Sequence, residues 1–305
     1  MLPAVLPFPD IGPNAFAFTV AGVELALRWY ALAYIAGIIG GWGMARFAIS
    51  RAGWWGGTPP MDAQQLEDVM TWVTLGIVLG GRIGYCLFYQ PDYYLANPLE
   101  ILFVWQGGMS FHGGLIGTGI GVIVFAMRAG IPLRSILDLA ALSTPLGLML
   151  GRMANFVNAE LWGRPSTAPW AVIFPGDAAQ ACSNVAVEIG TACARHPSQL
   201  YEAILEGPVL MAVIWAMAAT GSLQRPGLVT GVFLAGYALA RMFVELYRVA
   251  DPQYVTPDNP LGHVIGSPAF GLTMGQTLSL PMLVVGLGAV ALSLRASRAT
   301  GASVG

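Results

Sequence analysis

Three arginines stand inside long apolar runs: Arg82 in GGRIGYCLFY, Arg152 in GRMANFVNAELWGR and Arg241 in ALARMFVELYR. Each costs about 2.5–3.5 kcal/mol at the centre of a membrane helix, so three deep ones oppose insertion by roughly 8–10 kcal/mol. With one acid, Glu245, to balance them, the runs carry a surplus of positive charge that wants an anion. A planar guanidinium fork suits phosphate better than an ammonium does. In a bilayer the nearest abundant phosphate is a lipid head group. Arg152 and Arg248 lie toward the outer ends of their runs, so the expected site is a clamp for a phospholipid phosphate near the outer face.

Spacing supports a concerted role. At 100° per residue, Tyr237, Arg241, Glu245 and Arg248 share a sector of about 80°, and Arg82, Tyr85 and Tyr89 one of about 60°. Arg152 and Asn155 share a face, and Glu160 follows where the helix leaves the membrane. A plainer reading pairs Arg241 with Glu245 as an i,i+4 ion pair and lets Arg82 snorkel to an interface.

His112 opens the third apolar run in WQGGMSFHGGLIG. Gly113, Gly117 and Gly121 follow every four residues, a spacing that lets a second helix approach closely. An imidazole can take up a proton near neutral pH, and beside an arginine-held phosphate ester it suggests group transfer with phosphate leaving. A satisfied residue at a membrane interface is the alternative. His196, in HPSQLYEA, fits an end-of-helix position as well as a functional one, and His263 lies in a polar loop. The chain holds no GxSxG, HExxH or P-loop motif, which speaks against serine hydrolase, metalloprotease and NTPase chemistry.

The elements that must carry these residues follow from composition. The 305 residues are 56% hydrophobic and only 10% charged, and the mean hydropathy is +0.65. That describes a membrane protein. Net charge is −2, every one of the 14 basic residues is arginine, and they are scattered. No basic patch marks a nucleic-acid partner. Runs long enough to span lie near 28–47, 68–89, 110–129, 135–156, 199–220, 227–247 and 277–294. The expected fold is therefore all-α and polytopic, with seven transmembrane helices and a small extracytoplasmic head.

Alternate connections hold Arg46 and Arg51, Arg128 and Arg134, Arg225, and finally Arg295 and Arg298. Positively charged short loops stay cytoplasmic, which places the N-terminus outside and the C-terminus inside. The domain plan is a leader over 1–27, helices one to four over 28–156, an external head over 157–198, helices five to seven over 199–294 and a cytoplasmic tail over 295–305. Cys182 and Cys193 share the polar head segment and are open to either a disulfide or two thiols.

Five motifs in order, RWYALAY (28–34), VWQGGMSFHGGLIG (104–117), GRMANFVNAELWGR (151–164), RHPSQLYEA (195–203) and RMFVELYR (241–248), closely resemble the prolipoprotein diacylglyceryl transferase family of the bacterial inner membrane. The resemblance implies a seven-span enzyme that moves the diacylglyceryl group of phosphatidylglycerol to the lipobox cysteine of prolipoprotein signal peptides and releases glycerol phosphate. It implies no metal and no cofactor. By similarity, Tyr30, His112, Arg152, Asn155, Glu160, Gly163, Arg241, Glu245 and Arg248 match functional positions. Arg152 and Arg241 would hold the lipid phosphate, and His112 would take the thiol proton.

Ala154 and Ala159 stand where the family pattern leads one to expect glycine, which bears on local packing. Two other classes compete: a lipid-binding or lipid-moving protein that uses the arginines without chemistry, and a transporter of small organic anions. The concentration of polar residues toward one face favours a site fed laterally by lipid.

Overall fold

The computed structural model describes residues 5–20, 23–182, 188–189, 192–267 and 269–302. Helices form on the apolar runs. They are α1 (Trp29–Ser50), α2 (Ala63–Phe88), the short α3 (Pro91–Ala96), α4 (Phe111–Ala129), α5 (Leu133–Val157), α6 (Asp177–Gln180), α7 (Ser198–Ile204), α8 (Leu210–Ala219), α9 (Leu228–Val244) and α10 (Met274–Ala302). A π-helical turn at Leu205–Val209 joins α7 to α8, with Gly207 non-helical and Pro208 following it. Among the described residues six helical stretches are long and apolar enough to cross a membrane, the α7–α8 pair counting as one; α9, at 17 residues, is a shorter apolar helix. The chain is mostly helical and polytopic.

The expectation of a purely helical protein is amended by short strands outside these helices. A hairpin of β2 (Asn14–Val20) and β3 (Val23–Arg28) leads straight into α1. β1 (Leu6–Pro7) pairs in parallel with β4 (Val172–Ile173), β5 (Glu188–Ile189) pairs with β6 (Ala192–Cys193), and β7 (His263–Gly266) pairs with β8 (Gly271–Thr273). Cys182 and Cys193 are joined as a disulfide. Phe8 packs against Phe156 and Phe174, with ring centroids 5.3 and 5.5 Å away, so the N-terminal segment is fastened to the end of α5 and to the 158–197 segment by aromatic contact.

Close packing comes from glycine. A Cβ on Gly113 would fall 2.3 Å from the Gly80 carbonyl oxygen, one on Gly117 would fall 2.1 Å from that of Gly76, and one on Gly121 would fall 2.6 Å from that of Trp72. The backbones of α2 and α4 therefore touch along a glycine seam, the small-residue packing that membrane helices use where apolar side chains gain nothing from association. At the opposite end of the bundle from the arginine cluster, Asp138 of α5 is fully buried and accepts hydrogen bonds from Gly227 N (2.6 Å) and Thr230 N (2.7 Å). It thereby caps α9, satisfying amide groups that a helix start leaves unpaired.

Antiparallel contacts of α1 with α5, α2 with α4 and α9 with α10 bring one end of each helix into a common layer. That layer holds the start of α1, the end of α5, the start of α7, the end of α9 and the start of α10. Most of the chemically distinctive residues gather there.

Candidate active site

Three arginines and three glutamates meet in this layer. Arg152 Nε lies 3.1 Å from Glu202 Oε2 and 3.5 Å from Glu206 Oε2. Arg241 Nη1 lies 3.3 Å from Glu202 Oε1 and also pairs with Glu245. Arg248 Nη1 lies 3.1 Å from Glu202 Oε1, and its Nε is 3.7 Å from Glu245. Tyr237 faces the same cluster. The expected surplus of positive charge is thus corrected: Glu202 and Glu206, both fully buried, make the count three against three. Their signal was the i,i+4 pair of acids in YEAILEG, inside the fifth apolar run. Buried charge is tolerated where it is paired, which is the arrangement found.

A second group adjoins it. Tyr30, in the first turn of α1, donates to Glu160, and Asn155 Nδ2 donates to Glu160 Oε1 at 2.9 Å and to the Tyr30 hydroxyl. The turn after α5 presents Glu160 through unusual backbone: Ala159 and Leu161 have φ of 53° and 56°. Ser198 Oγ donates to the Leu161 carbonyl at 3.0 Å and Gln199 donates to that of Glu160, so the start of α7 grips the turn. Gly163 follows, where a Cβ would fall 2.5 Å from the Tyr247 carbonyl oxygen and 2.8 Å from that of His196. Arg164 Nε donates to the Arg248 carbonyl at 2.7 Å. Gly163 thus lets the turn lie against the backbone that carries Arg248.

Glu245 faces a third element. Thr273 Oγ1 donates to it at 3.1 Å, and a Cβ on Gly275 would fall 2.6 Å from its carboxylate. The carboxylate thus sits on the first turn of α10, where helix amides favour negative charge.

A cavity of about 460 Å³ opens beside Tyr30 and Gly151 and is walled by α1, α2, α4 and α5. Its lining, including Gly37, Trp42, Val69, Thr118 and Leu139, is mainly apolar. From Tyr30 to Ala45 along α1 is about 22 Å at 1.5 Å per residue, more than half the roughly 30 Å hydrocarbon core. Such a space accepts acyl chains rather than hydrated ions.

The remaining candidates are placed differently. His112 is exposed in the first turn of α4, its ring edge-on to Phe111, and among the described residues it makes no hydrogen bond or ion pair. The structure does not bring it into contact with the arginines. Arg82 is 2% exposed and does not snorkel. Its guanidinium donates to the carbonyls of Glu100 (2.6 Å), Ile101 (2.9 Å), Gly107 and Gly108, and stacks over Tyr94. It fixes the connection that leads to His112. His196 contacts Tyr201 through Nδ1 at 2.9 Å and packs on Tyr247, and burial lowers its pKa.

A model of the family described as prolipoprotein diacylglyceryl transferase matches residues 16–292. The chain belongs to that family. It is 58% identical to a protein of Ruegeria pomeroyi over 93% of this chain and 96% of the relative. Identity is 55% with a protein of Cereibacter sphaeroides, over 92% of this chain and 96% of the other. With one of Rhizobium meliloti it is 49%, over 97% of both. All three relatives bear the name phosphatidylglycerol–prolipoprotein diacylglyceryl transferase. The five motifs fall within the span matched by the family model, and all but the second, around His112, converge on the layer of charged residues described above.

Proposed function

We propose that this chain is the transferase its relatives are named for. It takes the diacylglyceryl group of phosphatidylglycerol and places it on the thiol of the lipobox cysteine in a prolipoprotein. The observation that carries this reading is the convergence of Arg152, Arg241 and Arg248 on one cluster, with an apolar cavity beside it that is lined by Gly151, the residue before Arg152, and by Tyr30, on which the Arg152 charge acts. Lipid phosphate and lipid acyl chains find complementary surfaces side by side there.

The bonds change as follows. The cysteine thiolate attacks the glyceryl carbon that carries the phosphate ester; a carbon–sulfur bond forms and the carbon–oxygen bond breaks. The electron pair leaves on the phosphate oxygen, and glycerol phosphate departs. The arginines stabilise the charge that grows on that oxygen, which is where such electrostatic catalysis acts. His112, exposed in the first turn of α4, takes the thiol proton. Tyr30, held by Glu160 and Asn155 at the cavity mouth, orients the lipid glyceryl region. Gly163, Glu245 and Arg248 shape the rim of the same site.

The cellular setting is a bacterial inner membrane crossed seven times, α9 included, with the N-terminus and the 157–198 head outside and the C-terminus in the cytoplasm. Arg46, Arg51, Arg128, Arg134 and Arg225 support the orientation. So does the disulfide, which suits an oxidising compartment on the head side. The acceptor reaches the site from within the membrane, because its cysteine ends a hydrophobic signal peptide.

The test is release of glycerol phosphate by purified protein in detergent, from phosphatidylglycerol labelled in its head group, with and without a lipobox peptide. Release that requires the peptide thiol, and falls about 10²-fold or more in His112→Gln, supports the reading. Release without peptide points to a phospholipase, and lipid binding with no release points to a lipid-binding protein. Full release by His112→Gln removes the imidazole from the mechanism.

A further inference from the structure

Glu202 is the centre of the charged cluster. It has no exposed surface, and three guanidinium groups from α5, α9 and the turn after α9 meet its carboxylate at 3.1–3.3 Å. The arginine side chains keep 21, 17 and 15% of their surface exposed, whereas Glu202 keeps none. The carboxylate therefore stands behind the cations, on the side away from an incoming ligand. Three cations this close repel one another strongly at the effective dielectric of a protein site, and an anion between them holds them together.

The same anion acts on whatever the arginines bind. A lipid phosphodiester carries about one negative charge, and the glycerol phosphate that leaves is a monoester with about 1.5 to 2 at neutral pH. A fixed negative charge behind the guanidinium groups opposes the second of these more than the first. Building on the phosphate-site reading above, we infer that Glu202 is a positioning residue with two effects. It sets the spacing of Arg152, Arg241 and Arg248, and it weakens their hold on the phosphate product so that the product leaves.

The test compares wild type with Glu202→Gln and Glu202→Asp, as full-length protein in detergent. Glycerol phosphate binding is read by calorimetry and transfer by its kcat and KM. Glu202→Gln keeps the shape and removes the charge. It is expected to bind glycerol phosphate about tenfold or more tightly while kcat falls at least about tenfold. Glu202→Asp keeps the charge and shortens the reach, so it is expected to raise KM for phosphatidylglycerol with product affinity near wild type. A Glu202→Gln protein that binds product no more tightly than wild type overturns the inference, whatever its rate. Should that variant fail to insert, Glu202→Asp with unchanged KM overturns it instead. Absence of transfer by wild type counts against the functional reading alone, because the calorimetry does not depend on turnover.

Discussion

Arg152 Nε lies 3.5 Å from Glu206 Oε2, and among the described residues neither oxygen of the fully buried Glu206 has a hydrogen-bond partner. The ion pair is therefore what offsets the burial of this carboxylate. Arg152→Ala is expected to abolish transfer and also to lower stability by about 3–5 kcal/mol, because it strands buried negative charge. Arg152→Ala combined with Glu206→Gln should recover part of that stability and none of the transfer. Thermal unfolding in detergent beside a transfer assay separates the two effects, and equal stability of single and double variants contradicts the pairing.

Ala159 occupies left-handed backbone, with φ 53°. A Cβ there is strained. Ala159→Gly is expected to stabilise the protein by about 0.5–1 kcal/mol, less the added flexibility of the unfolded chain. Transfer should stay within twofold of wild type. A fall in unfolding temperature contradicts the strain argument.

Gly163 works by close approach. Gly163→Ala must push the turn away from the Tyr247 and His196 carbonyls, and with it the backbone that sets Arg248. Displacement of about 1 Å near a reacting centre costs on the order of 10²-fold in rate. The expected result is a loss of transfer of that size, with helical content by circular dichroism unchanged.

The pH dependence of the 158–197 segment follows from His196, whose pKa is lowered by burial. As pH falls below the ordinary imidazole value of about 6.5, the unfolded chain binds a proton that the native state resists, so stability declines. Proteolysis of the 158–197 segment should accelerate between pH 7 and pH 5. His196→Gln should flatten that dependence. Equal acceleration in the variant assigns it to another group.

Much of this architecture is legible in the sequence, and the exceptions have physical reasons. Apolar runs bounded by proline and glycine mark most helix ends to within three residues, because the bilayer demands length and hydrophobicity, but α2 begins five residues before its run and α10 continues eight past its run. The spacing of Gly113, Gly117 and Gly121 announces a close helix contact, though its partners Gly76, Gly80 and Gly84 emerge only in three dimensions. Glu202 and Glu206 were hidden by the leucines and isoleucine around them. Read as a pair of buried acids opposite the intramembrane arginines, they would have removed the apparent charge surplus. The role of Arg82 is not legible at all, since its partners are backbone carbonyls 18 to 26 residues away that any side chains could carry. His112 shows the reverse case: its motif is plain, while among the described residues it has no polar partner.

The most direct measurement of the central claim is mass spectrometry of a lipobox peptide after incubation with purified protein and phosphatidylglycerol. The expected product carries one diacylglyceryl group on the cysteine sulfur and keeps it through hydroxylamine at neutral pH, which cleaves thioesters but spares oxygen esters and thioethers. It should be missing when Arg152→Ala or Arg241→Ala replaces wild type. An unmodified peptide, or a modification that hydroxylamine removes as it would an acyl thioester, contradicts transfer at the glyceryl carbon.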